Sequence, residues 1–386
     1  MPVIDYGYAG ISWRGPAFIK YIEMFIDLIA GARPNFMKIS PIIDAISEAG
    51  DRGEDIGFRL VHTGQHYDIN MSTSFFEQLG IPEPDINLGA GGGTQAEQTS
   101  AIMTGYEKLL MEKKPDICIV VGDVTSTMAC SIVARKMHVK VAHVEGGIRS
   151  GDWRMPEEIN RVVTDSITNY FFTTSEIANE NLRLSGVADD RIFFVGNTMI
   201  DTLLKHRSRF IKPPVWDEWP LSEGGYFVMT LHRPANVDEE DKLKKLVAEI
   251  MDHSGDLPVI FPVHPRTRGN LQKTGISHPR LVMVEPMGYL EFNYLVEKAF
   301  AVITDSGGIT EETTVMGIPC MTLRDSTERP ETITLGTNEL LGTNPEVVKP
   351  AMKKLFAGEW KKGSVPELWD GKTARRIVKA LLEMEL

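Results

Sequence analysis

The sequence predicts an α/β protein built from two doubly wound, parallel-sheet domains. Three observations lead there. Short apolar runs alternate with amphipathic stretches, those runs are apolar at nearly every residue, and the alternation breaks once, at a proline-rich segment in mid-chain. Strands that are apolar on both faces belong in sheets covered by helices on both sides. Strict alternation of strand and helix makes βαβ units and hence parallel strands.

In the first half the strands are "MFIDLIAG" (24–31), "FRLVHTG" (58–64), "DICIVVGD" (116–123), "VKVAHVEGG" (139–147), "YFFTT" (170–174) and "RIFFVGN" (191–197). Helix-like stretches such as "NFMKISPIIDAISEAG" and "AEQTSAIMTGYEKLLMEKK" separate them. Segment 206–225, with three prolines and two glycines, ends the pattern and is expected to link a domain at 24–205 to one at 226–370. The second series is "YFVMTLHR" (226–233), "PVIFPVH" (258–264), "LVMV" (281–284), "FAVITD" (300–305) and "IPCMTL" (318–323). A last helix, within 371–386, is expected to pack back on the first domain. Residues 1–23 lack the basic, apolar and small-residue regions of a signal peptide and read as an extension with no assigned function.

A length of 386 residues leaves room for two hydrophobic cores, and 42% apolar with 24% charged residues is ordinary for a globular chain. The net charge of −12 argues against a nucleic-acid partner bound on a basic face, though not against a small anion held by a few arginines. No run approaches the roughly 18 apolar residues that span a bilayer, so no membrane partner is expected. Cys118, Cys130 and Cys320 sit in apolar surroundings without metal-like spacing and read as buried free thiols of a reducing, cytoplasmic compartment.

Doubly wound domains bind ligands beyond the carboxyl ends of their strands, and two of them make a cleft the default site. The stretch "AVITDSGGITEE" (301–312) runs from a buried strand through Ser306, Gly307 and Gly308 into a helix. Unpaired N–H groups and the dipole at such a helix start favour a phosphate, and glycines let it approach. A carboxylate there, Glu311 or Glu312, suits paired ribose hydroxyls instead; an ordinary glycine turn would look much the same. His232 ends the strand "VMTLHR", Arg329 lies in "LRDSTERPE", and Arg33 and Lys38 start the helix after the first strand as a possible cationic clamp. Arg324 reads as part of a solvated charged loop. Asp123 and Glu145 end apolar strands, and Glu157 follows Pro156 in "RMPEEINR". Acids at such tips are where burial and mutual repulsion tune groups for proton transfer. His62 and His66 share an i, i+4 spacing but have no third ligand, so no metal is expected. No P-loop, nucleophile elbow or GxGxxG fingerprint occurs.

In order along the chain, "GARPNFMK", "TGQHYD", "GDVTST", "HVEGGIRS", "MPEEINR", "VGNTMIDTL", "PVHP", "TDSGGITEE" and "RDSTERPE" resemble the non-hydrolysing UDP-N-acetylglucosamine 2-epimerases. The resemblance runs from about Phe25 to the last helix. It implies a GT-B fold, two Rossmann-like domains with a UDP-sugar in the cleft between them, a homodimer in the cytoplasm, and no metal or other cofactor. It places Ser306, Gly307 and Gly308 on the diphosphate, Glu312 on the ribose, and Met287 and Phe292 beside the uracil. Arg33, His232 and Arg329 join the nucleotide site. Lys38, Asp123, Glu145, Glu157 and Arg161 surround the sugar. The implied reaction inverts C2 through loss of UDP and its re-addition, with the acid–base pair among Asp123, Glu145 and Glu157.

Some positions depart from the family pattern. Ala32 and Asn35 stand in the first loop, "RPAN" follows His232, and Tyr67 replaces an arginine found in members activated by their own substrate. Rival expectations are an epimerase of a UDP-diacetamido-uronate, a hydrolysing 2-epimerase, a retaining glycosyltransferase and a non-catalytic nucleotide-sugar sensor. The last two have no need of three acids beside C2.

Overall fold

The computed structural model describes residues 24–64, 76–263 and 265–384. Residues 1–23, with His66, Tyr67 and His264, on which the sequence reading also touched, lie outside them. Two fully parallel sheets are present. The first has order β3-β2-β1-β4-β5-β6-β7, with β1 Met24–Ala30, β2 Ile56–His62, β3 Ile86–Asn87, β4 Ile117–Val121, β5 Lys140–Val144, β6 Tyr170–Thr173 and β7 Ile192–Phe194. The second has order β10-β9-β8-β11-β12-β13, with β8 Phe227–Thr230, β9 Val259–Pro262, β10 Leu281–Val284, β11 Ala301–Thr304, β12 Cys320–Thr322 and β13 Asn338–Leu340.

Both orders reverse direction once, between β1 and β4 and between β8 and β11. Each reversal opens a crevice at the carboxyl ends of those strands. The residues beyond the four strands are Gly31–Arg33, Gly122–Asp123, Leu231–Arg233 and Asp305–Gly308. These hold Arg33, Asp123, His232 and Ser306–Gly308 of the groups singled out from the sequence.

The central strands earn their burial: β4 is buried at every residue, as a strand with helices on both faces must be. The helix Thr373–Glu383 places Ala374, Ile377, Val378 and Leu381 at helical spacing into the core of the first sheet, under the helix Arg33–Asp51. Fully burying each of the three larger side chains contributes about 1.5–3 kcal/mol. Asp201 fixes the start of that helix by accepting from Thr373 N (3.1 Å) and Ala374 N (2.7 Å). The three cysteines are buried and free. Among the described residues no helix is long and apolar enough to cross a membrane.

Candidate functional site

At the first reversal, Asn35 in the opening turn of the Arg33–Asp51 helix accepts from Ala32 N at 3.0 Å and donates to Val121 O at 2.9 Å. It thereby ties the tip of β1 to the tip of β4. Arg33 starts this helix, half-buried, and burial lowers its pKa. Lys38, one turn further, donates to Glu145 Oε2 at 2.7 Å.

Glu145 follows β5 in the left-handed region at φ 72°, a conformation uncommon for a residue with a Cβ. Gly122 sits against both groups: a Cβ there would lie 3.4 Å from Lys38 Nζ and 3.6 Å from Glu145 Oε2. Asp123 is therefore next to the Lys38–Glu145 pair. It does not cap the following helix, whose N-cap is Val124; instead its carboxylate pairs with Arg161 Nη2. Arg161 Nη1 also holds Glu158 Oε2 at 2.6 Å, and Glu158 accepts from Ser150 N and Gly151 N, each at 2.9 Å. Glu157 lies one turn before Arg161 on the same helical face, partly exposed, with no hydrogen bond or ion pair among the described residues.

At the second reversal, buried Asp305 organises the tip of β8. It accepts from His232 Nδ1 (2.8 Å), Arg233 N (2.9 Å) and Asn236 Nδ2 (3.1 Å). Burial opposes its charge, but His232 and these donors win and hold its pKa down. The helix after β11 starts at Gly307 with Ser306 as N-cap, and the serine side chain makes no capping bond. Glu312 is buried, accepts from Tyr289 Oη at 2.8 Å and Asn293 Nδ2 at 3.5 Å, and is pushed up to about 7 by burial. Met287 and Phe292 are partly buried against the apolar cluster that includes Tyr226, Val282 and Leu295.

Arg329 joins the two halves. Its Nε pairs with Glu311 Oε1 at 2.6 Å and its Nη2 with Glu145 Oε2 at 2.8 Å. Asn197 of the first half also donates to Glu311 Oε1, at 2.8 Å. Burial raises the pKa of both acids, but Glu145 has Arg329 and Lys38 against it and falls to about 2. Glu311, with one strong cation and Glu145 nearby, rises to about 7. The junction thus favours charge on Glu145 and disfavours it on Glu311.

The structure brings Lys38, Glu145, Arg329 and Asp123 with Arg161 together on one side, and His232 with Ser306–Gly308 on the other. Glu311's part in the junction was missed from sequence, since Asn197 and Arg329 are distant along the chain. Arg324 differs from expectation: it is buried, and its Nη2 is 2.6 Å from Glu328 Oε2. Among the described residues no group of three or more His, Cys, Asp or Glu is placed to hold a metal ion.

Comparison with known proteins agrees with this architecture. A family model for UDP-N-acetylglucosamine 2-epimerase matches residues 48–382. A protein of Methanocaldococcus jannaschii named UDP-N-acetylglucosamine 2-epimerase is 40% identical over 376 residues, spanning 93% of this chain and 99% of its own. The crystal structure of the M. jannaschii enzyme with UDP-GlcNAc and UDP superposes with a TM-score of 0.84 at 40% identity, over 94% of this chain and all of that one (100%). A Pseudomonas aeruginosa protein named UDP-2,3-diacetamido-2,3-dideoxy-D-glucuronate 2-epimerase is 39% identical over 328 residues, spanning 84% of this chain and 90% of its own. The two facing parallel sheets are the GT-B arrangement. With likeness of this extent in both sequence and backbone, the chain belongs to the UDP-N-acetylglucosamine 2-epimerase family.

Proposed function

We propose that the protein interconverts UDP-N-acetylglucosamine and UDP-N-acetylmannosamine by inverting C2 of the sugar. The observation that carries this reading is Glu145, an acid from one half held by Lys38 at 2.7 Å and by Arg329 of the other half at 2.8 Å. An ionised carboxylate thereby stands beside the cations that would receive a leaving diphosphate.

In this reading the diphosphate lies on the helix start at Ser306, Gly307 and Gly308, with Arg33, His232 and Arg329 offsetting its charge. Glu312 takes the ribose, Met287 and Phe292 border the uracil, and Lys38 and Arg161 sit by the sugar. The C2 proton is not acidic in the resting sugar, because no carbonyl adjoins it. As the C1–oxygen bond breaks, its electron pair leaves with UDP and positive charge builds at C1. A carboxylate then takes the C2 proton, and the C2–H electrons become the C1=C2 double bond of a bound 2-acetamidoglucal. A proton delivered to the opposite face, with UDP returning to C1, gives the epimer. The pair that trades the proton lies among Asp123, Glu145 and Glu157. Arriving phosphate competes for Arg329 and so frees Glu145 from one of its two cations, which makes it more basic as the leaving group settles.

The product is an activated amino sugar of the kind used for cell-surface polysaccharide, made by a cytoplasmic homodimer. A single-chain mass in light scattering would remove the dimer from the proposal. The substrate is tested by incubating the protein with UDP-N-acetylglucosamine and, separately, with the UDP-diacetamido-glucuronate, following the anomeric protons by NMR. UDP-N-acetylmannosamine is the expected product. Turnover of the uronate alone would reassign the substrate.

A further inference from the structure

Behind the two acid-bearing strand tips lies a buried polar group that the proposed reaction does not use. His143, on β5, is fully buried. Its Nδ1 is 2.7 Å from Asp165 Oδ1, and its Nε2 is 2.8 Å from the carbonyl oxygen of Gly122. A carbonyl only accepts, so Nε2 carries a proton. Asp165 Oδ2 already accepts from Arg149 Nη1 at 2.6 Å and from Gly147 N at 3.0 Å, as an ionised carboxylate would. The ring therefore bridges the Gly122 carbonyl and the Asp165 carboxyl group.

We propose that His143 positions both acid-bearing tips, holding Gly122 directly and the Glu145 turn through Asp165.

The geometry around it explains the need. Gly122, the residue before Asp123, has φ 68°, and Glu145 has φ 72°. Left-handed backbone at two adjoining tips needs outside support. His143 supplies it to the first through the Gly122 carbonyl. Asp165 supplies it to the second by gripping Gly147 N and Arg149, two and four residues past Glu145. Gly147 is itself at φ 81°, and a Cβ there would lie 2.3 Å from Ala178 O. The charged groups facing His143 are Asp165 from the Pro156–Ile167 helix and, through Asp165, Arg149 from the loop after β5. Neighbouring strands β4 and β6 present Val120 and Phe171 in register with it. Burial disfavours charge on Asp165, yet His143 and Arg149 hold its pKa below the usual range, in keeping with a carboxylate at this spot. His143 is a positioning residue, since it meets the reacting groups only through backbone.

This inference rests on the proposed acid–base roles of Asp123 and Glu145. Its first test needs no substrate, so its failure is distinguishable from theirs. With nitrogen-labelled histidine, and the signal assigned by its loss in His143→Gln, Nε2 of His143 should carry a slowly exchanging proton, as donation to the buried Gly122 carbonyl requires. An Nε2 without a proton overturns the hold on Gly122. The second test is Asp165→Asn, which removes the carboxylate but keeps the shape. The grip on the Glu145 turn is then weakened, and kcat for C2 epimerisation should fall about ten- to hundredfold. UDP affinity should hold within about twofold, because no phosphate contact changes. An Asp165→Asn enzyme with wild-type kcat overturns the positioning role.

Discussion

Arg329 reaches from the second half to Glu145 of the first at 2.8 Å while holding Glu311 of its own half at 2.6 Å. One guanidinium, 5% exposed, thus answers two buried carboxylates. Removing it by Arg329→Ala leaves both without their main partner. Loss of one partner of a buried pair costs about 3–5 kcal/mol. Chemical denaturation should register a loss of that size, with Arg329→Lys in between because an ammonium lacks the forked reach. An alanine variant as stable as wild type would contradict the shared pairing.

Gly307 and Gly308 make opposite predictions for stability and the same one for binding. A Cβ at Gly307 would sit 2.6 Å from Glu328 Oε1, whereas at Gly308 it would meet only Met199 Cε, at 4.0 Å. Gly308→Ala should therefore fold as well as wild type or better, by up to about 1 kcal/mol, since alanine suits a helix. If phosphate lies there, calorimetric titration should show UDP binding about tenfold weaker. Unchanged affinity would move the diphosphate elsewhere.

Glu312 titrates near neutrality because burial pushes it up to about 7 from an ordinary value of 4.5. Between those two pH values the folded protein holds a proton that the unfolded chain has released. Its contribution to stability is therefore present below about pH 4.5 and lost as pH rises through about 7. Glu312→Gln removes this dependence. The variant should gain on wild type as pH is raised from 5 to 8, by at most about 3 kcal/mol. Thermal melts across that range provide the check, and a constant difference would show that Glu312 is not the titrating group.

The three acids should separate chemistry from binding. Asp123→Asn, Glu145→Gln and Glu157→Gln are each expected to lower kcat about 10²- to 10⁴-fold, with UDP affinity little altered. Glu157→Gln should also leave the melting temperature in place, as that side chain has no ion pair among the described residues. Near-normal turnover in all three would refute the acid–base assignment.

Much of this was legible because the chemistry follows the strands. Asp123 and Glu145 end apolar runs, and a run buried on both faces announces its own carboxyl end. The edge strands Ile86–Asn87 and Asn338–Leu340 escaped notice: two or three residues each, with Asn87, Asn338 and Glu339 polar, leave no apolar run to see. Contacts between distant segments also left no trace. Nothing in the spacing of Asn197, Glu311 and Arg329, or of His143 and Asp165, marks them as partners, since folding alone brings them together. Arg324 misled for a related reason: a charged loop looks solvated until its acid, Glu328, is seen buried beside it.

If a carboxylate removes the C2 hydrogen while UDP departs, the enzyme must take up solvent isotope at that carbon. UDP-N-acetylglucosamine should be equilibrated with the enzyme in deuterated water and both epimers analysed by NMR and mass spectrometry. One solvent deuteron should appear at C2 in each epimer and nowhere else on the sugar. Epimers formed with the original C2 hydrogen retained would contradict it.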